Sequence, residues 1–320
     1  MNNLNTYSIG IDIGGTNTVF GIINTNGKII YRQQIKTNDY LIIDDFIKAI
    51  KESLTPFIQQ IGKTNIKGIG IGAPNGNLRT GIIEYAPNLP WEDNLPLQDL
   101  FSKFFEMPCR LTNDANAAAM GEMLYGAAKR IKDFIIITLG TGVGSGIVCN
   151  GLLIDGFDGY AGELGHTIVI PEGRKHWGTS VEGSLEAYAS ATGIVITAKE
   201  FLSLKNAESS LLHNYDQDEL TAQIIYDCAC KGDELSMNIF QYTGRILGIA
   251  FANFALFSSP EAIILFGGLT KAKDFWLSNA QYHMEISLPP NFRNKTKILL
   301  SNVREGDAAI LGAASLVVLD

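Results

Sequence analysis

Residues 8–24 read SIGIDIGGTNTVFGIIN, and residues 135–150 read IIITLGTGVGSGIVCN. Each is an apolar, β-branched run, a glycine-rich turn that carries threonine, and a second apolar run. Each then meets an Asn-Gly pair, Asn26-Gly27 in one and Asn150-Gly151 in the other, with a further apolar run (KIIYRQQI, LLID) directly behind it. Asn-Gly between two such runs is the strongest short-range hairpin signal, because both residues tolerate positive φ. The two stretches therefore predict two β-hairpins with Gly/Thr tips, one opening each half of a duplicated chain. Elsewhere strand-like runs alternate with helical ones, predicted at about 41–61, 96–105, 114–128, 218–231, 233–257 and 307–319. The fold class is α/β.

A hairpin tip without Cβ atoms can turn its N–H groups toward an anion and let phosphate oxygens approach, and threonine hydroxyls add donors. A tight turn would explain either tip alone. Two in matching positions suggest a pair of loops closing on one polyphosphate. Asp12 lies among the apolar residues of the first strand, where a carboxylate is costly unless backbone N–H groups or a nucleotide's Mg²⁺ partner it. A third glycine signal is EAIILFGGLTKAKDF, residues 261–275: an apolar run ends at Gly267-Gly268 and a helix starts near Lys273. Ligands of open α/β sheets sit at such junctions. The Gly-x-Gly-x-x-Gly spacing is missing, so an adenosine pocket fits better than a dinucleotide fold. In LTNDANAAAMGEMLYGAA, residues 111–128, a short strand runs into an alanine-rich helix. Asn113 or Asp114 is the N-cap, and capping explains only one of them. Asp114 is the candidate to receive the proton of a phosphoryl-acceptor hydroxyl.

Composition excludes several classes. The chain has 320 residues, long enough to bury roughly three quarters of its unfolded surface. A net charge of -8 speaks against nucleic-acid and anionic-membrane partners. No apolar run approaches the roughly 20 residues of a membrane span, and the polar start MNNLNT carries no secretory signal. The cysteines at 109, 149, 228 and 230 form no paired framework, so a reduced, cytoplasmic setting is expected. Cys228 and Cys230 are expected to be buried thiols.

The segment at 160–188, YAGELGHTIVIPEGRKHWGTSVEGSLEAY, sets two histidines and several carboxylates among glycines. With it the chain resembles the ROK family (repressors, open reading frames and kinases) of actin-like, hexokinase-type ATPases. The matching pieces, in order, are DIGGTN at 12–17, NLPW at 88–91, NDANAAAMGE at 113–122, LGTGVGSG at 139–146, GELGH at 162–166, EGSLEAYAS at 182–190 and FGG at 266–268. The resemblance implies a two-lobed actin-like (ribonuclease H-like) fold, with residues 1–112 plus 304–320 as the small lobe, 113–303 as the large lobe and the active site in the cleft. It implies a sugar kinase using Mg·ATP, with Asp114 as base and Asn88, Asn113, Glu163, His166 and Glu186 binding sugar. The phosphate side is then Asp12 with Gly14, Gly15, Thr16 and Asn17, faced by Gly140, Thr141, Gly142 and Gly144. Gly267 and Gly268 take the adenosine side.

Two departures stand out. Most of the family has Lys where this chain has Asn17. The family also carries a Cys-x-Cys-Gly-x-x-Gly-Cys run for structural zinc, and those cysteine positions are here Trp177, Thr179 and Ser184. No structural zinc is expected, and Trp177 is the expected substitute anchor for the loop. The expected activity is a cytoplasmic, homodimeric hexose kinase of glycolysis acting on glucose. The alternatives are an N-acetylglucosamine, N-acetylmannosamine or fructose kinase, and a sugar sensor that no longer phosphorylates. A sugar-responsive repressor is disfavoured, since the first phosphate-loop strand begins by Tyr7 and leaves no room for a helix-turn-helix.

Overall fold

β1 (Tyr7–Ile13) is apolar on both faces and pairs antiparallel with β2 (Asn17–Asn24), which pairs antiparallel with β3 (Ile29–Lys36). These elements belong to a computed structural model that describes residues 6–204 and 209–318. The start of the chain, residues 1–5, and Leu319, the predicted last residue of a helix, lie outside the described residues. α1 (Ile43–Ile61) leads to β4 (Ile66–Gly72), parallel to β1. α2 (Leu97–Phe105) leads to β5 (Cys109–Thr112), parallel to β4, and α3 (Asp114–Tyr125) follows. The first sheet thus runs β3-β2-β1-β4-β5, with Asp12 on its central strand. Phe46, Ile47, Ile50 and Leu54 of α1 and Leu97, Phe101 and Phe105 of α2 recur at helical spacing and bury against Ile9, Ile11, Ile69 and Ile71.

The second sheet repeats this plan. β6 (Phe134–Leu139) is followed by β7 (Val143–Cys149) and β8 (Leu152–Leu153), and the Asn150-Gly151 turn has φ of 52° and 77° as a tight hairpin requires. Three helices come next, α4 (Glu186–Ala189), α5 (Ala191–Leu202) and α6 (Ala222–Cys230), and then the long α7 (Glu234–Ser258). β9 (Ala262–Phe266), α8 (Lys273–Ser287) and β10 (Lys297–Leu300) follow, and α9 (Glu305–Ser315) closes the chain. Read from its β8 edge, the order β8-β7-β6-β9-β10 is the first sheet's order element for element, three hairpin strands and then two parallel ones. The duplication read from the two Gly/Thr stretches is present in the topology. Among the described residues no helix is long and apolar enough to cross a membrane.

The chain divides into one unit of residues Met1–Lys132, Gly146–Gly162 and Ser301–Asp320, and another of Asp133–Ser145 and Glu163–Leu300. This differs from a division after residue 112. α3 stays with the first unit because its small residues let α9 approach closely: a Cβ on Gly312 of α9 would lie 2.7 Å from the Ala117 carbonyl. Asn113 and Asp114 are therefore first-unit residues. One cysteine expectation is corrected. Cys228 is buried but Cys230 is exposed, because residues two apart on α6 point to nearly opposite sides.

Candidate active site

In the first unit the tip between β1 and β2 closes with a hydrogen bond from Gly14 N–H to Asn17 O, 3.0 Å. A residue the sequence did not single out braces it. Thr37, fully buried, donates its hydroxyl to Gly14 O at 2.7 Å, sends its N–H to Thr16 O at 2.9 Å and meets Thr18 Oγ1 at 2.9 Å. Its only sequence signal is a threonine just after β3. Thr16 and Asn17 at the tip are exposed, with side chains that make no hydrogen bond among the described residues and suit an anionic ligand. Gly15 is held close to Asn88, since a Cβ there would lie 2.8 Å from the Asn88 carbonyl oxygen. Asn88 is exposed, on a loop fixed by buried Leu89 and by Trp91, whose Nε1–H donates to Tyr40 O at 3.0 Å.

Asp12 and Asp114 share this region: a Cβ on Gly72 would stand 3.5 Å from Asp12 Oδ1 and 3.8 Å from Asp114 Cα. Asp12 is half-buried and has no hydrogen bond or ion pair among the described residues. Burial, and then repulsion by Asp114, push its carboxyl up to about 7. A group held this way suits a divalent cation, which would favour the charged form, so the residues present fit the Mg²⁺ of a nucleotide. Asn113 is the N-cap of α3, its Oδ1 accepting from Asn116 N–H at 2.7 Å. That leaves Asp114 free of capping. Its side chain is exposed, yet the protein around it disfavours the charged form and raises its carboxyl. The Ala115 N–H, 2.8 Å from Oδ1, works in the opposite direction.

In the second unit the tip between β6 and β7 closes with Gly140 N–H to Gly142 O, 3.0 Å. It is tied to the first turn of α5, where Ala191 N–H donates to Gly140 O at 2.9 Å and Thr192 Oγ1 to Thr141 O at 3.2 Å. A cavity of about 270 Å³ joins Gly140 and Thr141 to Gly268 and Leu269, with Tyr226 and Phe240 as aromatic walls and Gln223 and Lys271 as polar ones. Gly267, at φ 106°, turns the chain out of β9 toward this cavity. Gly144 lies within β7, beyond the tip.

Glu186, the first residue of α4, lies against the same tip. Its Oε2 accepts Val143 N–H at 2.6 Å, and a Cβ on Gly142 would fall 2.5 Å from that oxygen, so any other residue there would displace the Glu186 carboxylate. Its Oε1 meets His176 Nε2 at 2.7 Å. The segment Glu163–His166 forms a single tight turn (Leu164–His166) pinned by Leu164 N–H to Ser145 Oγ at 2.9 Å, with Glu163 and His166 both exposed. The His166 and His176 rings are edge to face at 5.8 Å. Glu186, His176 and His166 are thus one cluster beside the second tip.

The anchor expected at Trp177 is elsewhere. Trp177 is 47% exposed and lies flat on His176 at 4.2 Å, because its position in the loop turns it outward. Buried polar groups hold the loop instead. Arg174 donates to Ala187 O at 2.6 Å, Gly193 O at 2.9 Å, Thr197 Oγ1 at 3.0 Å and both oxygens of Glu200. It also covers the Tyr188 ring at 4.6 Å. His176 is 4% exposed. Of the other former cysteine positions, Ser184 is buried, and Thr179 is exposed with its hydroxyl 3.2 Å from His176 Nδ1. Among the described residues no three His, Cys, Asp or Glu side chains are grouped as a metal site.

The sequence profile of the ROK family matches residues 8–319. The chain belongs to the ROK family. Among its relatives, a glucokinase of Halalkalibacterium halodurans is 36% identical over 97% of this chain and 94% of its own. The ROK glucokinase of Streptomyces griseus, solved with glucose and AMPPNP, superposes with a TM-score of 0.78 at 29% identity, over 98% of this chain and 100% of its own. A ROK transcriptional regulator, a homologue of the E. coli MLC protein, superposes at 0.86 with 25% identity. That match covers 99% of this chain and 78% of the regulator.

Proposed function

We propose that this ROK protein is an ATP-dependent hexose kinase that transfers the γ-phosphoryl group to a primary hydroxyl, glucose to glucose 6-phosphate being the reaction. The observation that carries this reading is Asp114, a carboxylate at the start of α3 that neither caps the helix nor meets a cation, with its pKa raised. A raised pKa brings a general base closer to working pH and strengthens its hold on the proton it takes. Asp114 receives the hydroxyl proton while the new O–P bond forms and ADP departs with the electrons of the broken β–γ bond.

The hydroxyls are held by Asn88, Asn113, Glu163, His166 and Glu186. Asn113 uses its carbonyl on the α3 cap, so toward sugar it donates through Nδ2. Glu186 accepts only, so the hydroxyls it meets must donate to it. Amide and hydroxyl donors of the two Gly/Thr tips hold the phosphates, and the aromatic-walled cavity beside Gly268 takes the adenosine. Asp12 would hold Mg²⁺ through water, and the ion supplies charge neutralisation at the phosphates. A cytoplasmic setting is supported by four free cysteines. A homodimer and a place in glycolysis rest on the family resemblance.

The regulator's likeness favours a second reading, a sugar sensor without turnover. Asp114 and both phosphate tips speak for catalysis. A coupled ADP-release assay over glucose, mannose, fructose, N-acetylglucosamine and N-acetylmannosamine decides between them, with Asp114→Asn as control. Glucose should give the highest kcat/KM. The variant should lose at least about a hundredfold in kcat, about 2.7 kcal/mol of transition-state stabilisation, with sugar KM nearly unchanged. Sugar binding without ADP release in the unaltered protein would establish the sensor.

A further inference from the structure

His176 does not take part in the chemistry proposed above, yet both of its ring nitrogens are engaged. Its Nε2 faces Glu186 Oε1 at 2.7 Å. Its Nδ1 lies 3.1 Å from Gly178 N–H and 3.0 Å from Thr179 N–H, and the Thr179 hydroxyl is 3.2 Å away. Backbone N–H groups only donate, so Nδ1 must offer its lone pair and the ring proton must sit on Nε2. The ring is therefore a neutral imidazole of fixed tautomer, donating to Glu186. The turn is wrapped around it, since His176 N–H donates to Val181 O at 2.8 Å and Ser180 N–H to His176 O at 3.0 Å. Two residues earlier, Arg174 fixes the chain to the carbonyls of Ala187 and Gly193.

This fixes the Glu186 carboxylate from both sides. Oε1 accepts from His176 Nε2–H and Oε2 from Val143 N–H, which among the described residues leaves one lone pair on each oxygen free. The Glu186 side chain is 16% exposed, against 4% for His176, so the carboxylate is presented to solvent while its holder is not. We propose that His176 is the positioning residue for Glu186, aiming both free lone pairs at two neighbouring sugar hydroxyls. The sugar that fits is one whose adjacent hydroxyls can both donate. A position where one hydroxyl is replaced by hydrogen would leave a desolvated carboxylate oxygen unpaired. The proposal rests on Glu186 being a sugar ligand.

Two variants separate the two ends of the ring. In His176→Asn the amide oxygen can replace Nδ1 for the Gly178 and Thr179 N–H groups, but the side chain is too short to reach Glu186. In His176→Gln the amide nitrogen reaches Glu186, and the two backbone N–H groups lose their acceptor. Steady-state kinetics should show sugar KM up about tenfold or more in His176→Asn, with ATP KM unchanged, and His176→Gln should restore sugar KM to within about threefold. A loop-holding role alone gives the reverse order, with Gln the worse. Wild-type sugar KM in His176→Asn, or Gln no better than Asn, overturns the proposal. Long-range ¹H–¹⁵N spectra of the unaltered protein should place the His176 proton on Nε2, and a proton on Nδ1 overturns it without reference to turnover. If no hexose is phosphorylated, the kinase reading fails, and the spectra together with sugar-binding titrations of the two variants decide the role of His176.

Discussion

Asp12 should lower the stability of the ligand-free protein at neutral pH, and neutralising it should restore that stability. Its carboxyl has a folded pKa of about 7 against an ordinary 3.8, raised by burial and by Asp114. Because the folded value is the higher one, the folded state keeps a proton that the unfolded chain has released. Stability from this group is thus fully present below about pH 4, falls as pH rises between about 4 and 7, and is flat above. Three pH units at about 1.4 kcal/mol each set a ceiling of about 4 kcal/mol. The side chain is only half-buried, so water discounts this to about 1–3 kcal/mol.

Asp12→Asn keeps the shape and removes the charge. Urea unfolding in EDTA without nucleotide should find the variant more stable by about 1–3 kcal/mol at pH 8, with a smaller gain at pH 5. Equal gains at the two pH values, or a less stable variant at pH 8, would refute the electrostatic account. The same variant should phosphorylate sugar poorly, since a strained carboxylate kept at a cost in stability is one the site needs.

Gly142→Ala puts a Cβ 2.5 Å from Glu186 Oε2 and 3.1 Å from its Cδ, so Glu186 must leave the Val143 N–H. Sugar KM should rise about tenfold or more, since a shift of about 1 Å in a positioned group is costly, and unchanged sugar KM would contradict the contact. Arg174→Ala removes the Arg174 donor from the buried Ala187 carbonyl, while Gly193 O keeps the Thr197 hydroxyl, and should cost about 1–3 kcal/mol in urea unfolding, with Arg174→Lys recovering less than half. A loss below about 0.5 kcal/mol would leave the loop to some other anchor.

The parts of the fold that were legible were those whose signal is local. Apolar runs with Asn-Gly turns gave both sheets, and the Gly/Thr tips needed no long-range information. α5 was not predicted, because ATGIVITAKEFL is rich in β-branched residues. It is helical because Ser190 caps it, accepting Gly193 N–H at 3.0 Å, and because its Ala191 N–H finds Gly140 O. Thr37, Arg174 and His176 are single polar residues whose deciding partners, Gly14, Ala187 and Glu186, lie ten or more residues away, so no periodicity marks them. Trp177 illustrates the converse. A large side chain suggests an anchor by its area, but area says nothing of direction, and this one points outward. The α3 cap needed the structure too, since Asn113 and Asp114 both satisfy the sequence rule and only the Asn116 N–H, bonded to Asn113, chooses between them.

The two tips share an origin in topology but not in role. Asp12 sits two residues before the first glycine of its tip, and the matching residue of the second is Thr138, so only the first copy carries an acid. The first tip is braced by Thr37 at the end of β3, the second by the start of α5. They are alike in one further respect. Gly15 lies against Asn88 and Gly142 against Glu186, each too close for a Cβ. In either unit, then, a residue proposed to bind sugar leans on the loop proposed to bind phosphate. Breaking either contact should therefore disturb the phosphate loop as well, whereas His176→Asn leaves the Glu186–Val143 bond in place. A change of sugar preference made by breaking the contact at Asn88 or Glu186 should therefore raise ATP KM as well, and an unchanged ATP KM would refute the coupling.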